Sequence, residues 1–241
     1  MKNMISKRII LFILFILLSP ISLNGDEVAD YKAEYLFETG DFSVTGIREL
    51  ITDEENEIAR ITFNAKTKIV KLFFESSFVI NKGSIVSKKY IANVRALLIK
   101  RNQSIIYDNI NQNIKSSGLN KWDINYADDI DILDPLNAQV QMRLNVKDMH
   151  ESKEYNSFEI ALQDIRNGNI EINTYKFSRN DLYTFNEKNY ESIVIKRVRD
   201  QDSRITEYHL VPELGYLIME VLDTGAEATQ TLKLQKILSL G

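Results

Sequence analysis

Apolar and polar side chains alternate with period two through most of this chain, and no other feature restricts its fold as strongly. Tyr31, Ala33, Tyr35 and Phe37 alternate with Lys32, Glu34 and Glu38, and Ala59, Ile61, Phe63 and Ala65 with Arg60, Thr62 and Asn64. Val86, Tyr90, Ala92, Val94, Ala96 and Leu98 read as one face of a long strand, opposite Lys89, Asn93 and Arg95. Leu232 and Leu234 oppose Thr231, Lys233 and Gln235. Successive strand residues point to opposite sides of a sheet, so this pattern describes antiparallel sheet with one buried and one wet face.

Turn chemistry separates the runs. Asn81-Lys82-Gly83, Asn167-Gly168, Pro212-Glu213-Leu214-Gly215 and Asp223-Thr224-Gly225 all carry residues that tolerate tight or left-handed backbone. Asn-Gly in particular suits a two-residue hairpin loop. About a dozen strands at hairpin spacing follow from this reading, with one helix. The expected helix spans about 134–147, with Asp134 as N-cap, Pro135 at the first helical position, and Leu136, Val140 and Leu144 along one face. With one helix, βαβ alternation is disfavoured. The expected fold is all-β: a strongly curled antiparallel sheet or barrel-like roll, with the helix plugging one end.

The first residues have a different composition. Lys2, Lys7 and Arg8 precede an unbroken apolar run from Ile9 to Leu18, closed by Ser19 and Pro20. That is the layout of a secretory signal, and the run is shorter than the ~20 residues of a spanning helix. Residues 1–25 are read as a signal peptide cleaved after Gly25, and 26–241 as a single β-rich domain. The protein is then exported, periplasmic or secreted, with no transmembrane segment after cleavage. The alternative is an inner-membrane anchor formed by an uncleaved signal. The remaining chain has 27 basic and 34 acidic side chains, a balance of −7. This argues against nucleic acid, whose binding depends on clustered Lys and Arg. The chain has no cysteine, which removes disulfides, thiol chemistry and thiolate-bound metal.

The segment Asp134-Pro135-Leu136 with Gln139, Gln141 and Arg143, together with Tyr208-His209-Leu210-Val211-Pro212-Glu213-Leu214-Gly215-Tyr216-Leu217, resembles the exported bacterial family DUF3108, a domain of unknown function. Asp108 after Ile106-Tyr107 falls at a similar place, and the resemblance spans about residues 30–237. The chain departs from the family pattern at His209 and Ile218. The resemblance implies a β-rich envelope protein, in which Asp134, Pro135, Pro212 and Gly215 are structural motif residues. It brings no catalytic residue.

Four aspartates, Asp128, Asp129, Asp131 and Asp134, crowd the entrance to the helix. A hard cation favours clustered carboxylates, and Asp128, Asp129 and Asp131 are weak candidates. However, Leu133 occupies the position where a further oxygen ligand belongs, and no glycine or distal glutamate completes a loop. The expectation is no metal, with Asp134 capping the helix. The imidazoles are His150 and His209 alone. Glu207 and His209 share one strand face as a thin proton-relay signature, outweighed by packing. No catalytic motif occurs, and no cofactor is expected. Leu72, Phe73, Phe74 and Phe78 crowd one strand, so aromatic rings face both sides of the sheet. Such a sheet is either covered or lines a cavity.

The expected role is therefore non-enzymatic binding or accessory work in the envelope, with a lipid-like or other apolar small molecule as ligand. The alternative is an envelope assembly module that contacts another protein and takes no small ligand. A hydrolase built on two carboxylates is a third class.

Overall fold

The alternating runs fold as strands. The computed structural model describes residues 28–53, 55–96, 99–127, 130–199, 204–225 and 229–241. The expected signal peptide lies outside them, as do Asp128 and Asp129. Before the helix come β1 (Tyr31–Thr39), β2 (Phe42–Asp53), β3 (Ile58–Lys66), β4 (Val70–Asn81), β5 (Ser84–Ala96), β6 (Ile99–Asp108), β7 (Asn113–Gly118), β8 (Trp122–Asn125) and β9 (Ile132–Leu133). After α1 (Asn137–Ser152) come β10 (Ser157–Gln163), β11 (Ile170–Phe185), β12 (Lys188–Arg197), β13 (Ile205–Val211), β14 (Leu217–Thr224) and β15 (Thr229–Leu240).

All fifteen strands form one sheet, ordered β8 through β1, then β15 down to β9. The first and last strands pair at its middle, with Tyr31 opposite Leu240. Neighbours are antiparallel except β9 and β10, which run parallel. The sheet curls until its two ends meet without forming a ladder. Side chains bridge this seam: Gln103 Nε2 and Trp122 Nε1 both donate to the carbonyl of Ile165, at 3.0 and 3.3 Å.

Two local expectations are corrected by backbone detail. Between β4 and β5 the register slips at Ser77/Phe78, where Ser87 and Lys89 become successive partners. Lys88 is the extra residue, and a bulge of this kind reverses which side chains face inward. Ile85 and Ser87 therefore turn into the core with Tyr90 and Ala92, while Val86 leaves the face that simple alternation predicts. Asn167-Gly168 is not a two-residue hairpin. The strands end at Gln163 and resume at Ile170, and Asp164 N–H and Gly168 N–H donate to Asn169 O and Asp164 O. Gly168 has φ +82°, and a Cβ there would stand 2.9 Å from the Trp122 ring. Glycine lets the indole of the seam pack directly on backbone.

The helix starts and ends later than the expected 134–147. Asp134 O accepts from Ala138 N–H at 3.0 Å, so a turn at Asp134-Pro135-Leu136 leads into the regular helix at Asn137. The face Leu136, Val140, Leu144 would next present Asp148, but a second stripe of Met142, Val146 and Met149 is also buried. That stripe carries the helix to Ser152, where Lys153 closes it in left-handed backbone (φ 60°). The helix lies inside the curl, against β4, β5 and β10, and its burial on several sides follows from this enclosure.

Candidate functional site

Helix α1 carries polar residues where a surface helix would point them at water, but here much of the surroundings is sheet. Asp134, at its entrance, is fully buried. Its Oδ1 accepts from the backbone N–H groups of Leu136 (2.8 Å) and Asn137 (3.1 Å), and its Oδ2 accepts from Ser76 Oγ on β4 (2.6 Å). Asn137 reciprocates: its Oδ1 accepts from Asp134 N–H at 2.9 Å, and its Nδ2 donates to Ser87 Oγ at 2.9 Å. Ser87 Oγ in turn donates to Ile132 O at 2.7 Å. The chain Ser76–Asp134–Asn137–Ser87–Ile132 ties helix entrance to β4, β5 and β9. Burial pushes the Asp134 carboxyl up to about 7, against the pull of Ser76 and the two amides.

Further along, Gln141 accepts from Ile85 N–H (2.8 Å) and donates to Gly83 O (2.9 Å), so one side chain satisfies both backbone groups at the start of β5. Arg143 is almost completely buried and donates through Nη2 to Ala29 O (3.0 Å) and Gly215 O (2.9 Å). Its guanidinium lies 4.9 Å from the centre of the Tyr31 ring. Gln139 Oε1 accepts from Nη1 of a second buried arginine, Arg48 on β2, at 2.5 Å. Arg48 lies 5.1 Å from the Tyr35 ring centre, and the Tyr35 hydroxyl donates to Ile218 O. Tyr35 is fully buried, and burial raises its phenol far above the ordinary range.

Below the entrance to the helix the interior is not filled. A recess of about 400 Å³ opens there between α1 and the inner face of the sheet. Val44, Phe63, Leu72 and Phe74 from β2–β4 form one wall. Phe37, Tyr208, Val221 and Leu232 from β1 and β13–β15 form the other, and Leu136 and Gln139 close the top. Arg48 stands in this apolar lining as its one charged residue. The paired phenylalanines divide as expected: Phe74 lines the recess, while Phe73 borders an outer trough with Lys32, Glu49 and Arg60. That trough is larger, about 730 Å³, but its Lys32 and Glu49 pair with each other at 3.0 Å. We read it as the wet face of a curved sheet.

The other candidates fall apart from this centre. Asp131 borders a surface hollow with Ser84, Gln141 and Glu159, and partial burial raises its carboxyl despite a hydrogen bond from Ser84. It does not join Asp134, and no group of three or more His, Asp or Glu is arranged for metal among the described residues. Glu207 and His209 stand 4.0 Å apart. Arg179 (2.9 Å) and Lys196 (3.0 Å) hold the Glu207 carboxyl down to about 2, and burial lowers the His209 imidazole. A carboxylate so firmly ionised is a poor relay base. His150 Nδ1 meets the Tyr216 hydroxyl at 3.0 Å. Pro212–Leu214 form a single 3-10 turn that ends at Gly215 in left-handed backbone (φ 64°), and this presents the Gly215 carbonyl to Arg143.

Sequence reasoning missed Arg48 and did not give Gln139, Gln141 and Arg143 roles. Polar residues in an amphipathic pattern read as solvated unless the element's enclosure is known. A signal did exist: Arg48 occupies an inner-face position of β2, between Val44 and Leu50.

No family model matches the chain, and no curated protein matches it. A solved structure does. The crystal structure of a β-barrel-like protein of the domain of unknown function DUF1849 from Brucella abortus has a TM-score of 0.53 at 9% identity. The match covers 88% of this chain and 98% of that one. It shows the fold: an all-β, barrel-like sheet, as expected from the alternation. No helix among the described residues is long and apolar enough to cross a membrane.

Proposed function

We propose that the protein is exported, loses residues 1–25, and serves in the envelope as a non-enzymatic receptor for one apolar, lipid-like molecule held in the recess beneath α1. The observation that carries this reading is the recess itself. Small-molecule sites are concave, mainly apolar and about 300–1,000 Å³ in volume, with few polar groups. The recess has that size and lining. Phe37, Leu72, Phe74, Val221 and Leu232 are half-buried on the inner face of the sheet, where a packed core would cover them completely. The basic head and apolar run of residues 2–18 support export. Kinship with the DUF3108 group belongs to the same proposal, supported by the Asp134–Arg143 and Tyr208–Leu217 segments.

The test is a titration with N-phenyl-1-naphthylamine, a neutral apolar fluorophore that brightens out of water. The wild type binds it at one saturable site. Val221→Phe with Leu232→Phe fills the recess and abolishes that site while the protein still unfolds cooperatively. An unchanged titration in the filled variant contradicts the proposal.

A further inference from the structure

Arg48 is a cation in a wall that otherwise has no charge, and its charge is not neutralised. It is 4% exposed, yet among the described residues no carboxylate lies within ion-pair distance of it. Its Nη1 is held by a neutral acceptor, Gln139 Oε1, and its Nε has no hydrogen-bond partner. The second interior arginine, Arg143, donates through Nη2 to neutral carbonyls alone, with Nε and Nη1 unpartnered. The one fully buried acid among the described residues, Asp134, is raised by burial and bonded to Ser76 and backbone amides, so it answers neither. Buried charge without a counter-charge is costly, and buried guanidinium groups are ordinarily paired. Arg143 is sealed beneath Tyr31 and Gly215, whereas Arg48 opens onto the recess.

We infer that Arg48, held in place by Gln139 and the Tyr35 ring, is the receptor for the anionic head of a single-chain amphiphile whose alkyl tail lies along Phe63, Leu72 and Phe74. This rests on the recess being a ligand site and adds which class of ligand it takes. A guanidinium presents parallel N–H donors that suit carboxylate and phosphate alike, and inside an apolar wall such a charge-assisted bond is strong. The tail contributes apolar burial, and the head supplies the counter-ion that the fold lacks.

The test compares ligands that share a tail: dodecanoate, dodecyl phosphate, dodecan-1-ol and dodecylamine, titrated into wild type, Arg48→Met and Arg48→Lys by calorimetry. For the wild type, dodecanoate or dodecyl phosphate binds at least about tenfold tighter than dodecan-1-ol, and dodecylamine binds most weakly. The better of the two anions identifies the head as carboxylate or phosphate. Arg48→Met lowers the affinity of the anion to about that of the alcohol, and Arg48→Lys retains part of the preference. Equal affinities for anion and alcohol in the wild type overturn the inference while leaving the recess as an apolar site. Failure of all four ligands to bind removes the underlying reading as well. The wild-type order of anion, alcohol and amine decides the matter even where Arg48→Met does not fold.

Discussion

Arg143 Nη2 donates to the carbonyl of Gly215 at 2.9 Å, and that bond joins the segments 134–143 and 208–217. One segment supplies the helix inside the curl, the other the 3-10 turn that leads into β14. The same Nη2 reaches Ala29 O just before β1, so a single guanidinium gathers three distant parts of the chain.

Removing that guanidinium leaves two carbonyls without a donor and opens a cavity. Arg143→Ala is expected to cost about 2–5 kcal/mol. Gly215→Ala is expected to cost on the order of 1–3 kcal/mol, because φ is +64° and the added methyl would stand 3.2 Å from Ala29 Cβ. Urea unfolding measures both, and wild-type midpoints in either variant would contradict the joint described here.

The Asp134 carboxyl sits at about 7 in the folded protein and at 3.8 when unperturbed. The folded state therefore holds this proton more tightly. Its stabilising contribution is complete below about 3.8 and is lost as pH rises through about 7, at most ~4 kcal/mol over the window. Glu207 acts with the opposite sign: held down to about 2 from 4.5, it stabilises above 4.5, and this is lost as pH falls towards 2. Stability should therefore peak in mildly acidic solution. Asp134→Asn keeps an acceptor for the Leu136 and Asn137 amides and should flatten the decline between pH 4 and 8. Asp134→Ala strands Ser76 and two amides and should cost more than the ~1 kcal/mol of an ordinary surface cap. Denaturation midpoints across pH check this, and an unchanged slope in Asp134→Asn would refute the assignment.

Trp122 is the one tryptophan of the chain, and it sits at the seam against Gly168. Its fluorescence reports directly on closure of the curl. Gly168→Ala should shift its emission to the red and lower stability by about 1–3 kcal/mol, since both the positive φ and the indole oppose a methyl. Emission identical to wild type would show that the seam tolerates the methyl.

The fold was legible because strand alternation is local and repeated, and Asp134-Pro135 marked a helix entrance to within three residues. The bulge at Lys88 was not legible, since nothing in Val86-Ser87-Lys88-Lys89 announces an extra residue. The polar interior was harder still. Gln139, Gln141 and Arg143 look like a solvated helix face, and become interior groups because the sheet wraps around them. Arg48 reads as an ordinary break in an apolar run until Gln139 is found 2.5 Å away, 91 residues along the chain. Long-range pairing of this kind leaves no periodic trace. Asp134 reads as a cap in the sequence, but its complete burial and its bond to Ser76 depend on β4, with Ser76 58 positions away.

On the reading proposed above, the recess beneath α1 holds one apolar-tailed molecule. Native mass spectrometry of the protein released from a cell-envelope fraction tests it most directly. The expected result is a polypeptide beginning at Asp26 that carries a single non-covalent lipid-sized adduct, absent from Val221→Phe/Leu232→Phe. A bare polypeptide mass in the wild type, or the same adduct in the filled variant, would contradict it.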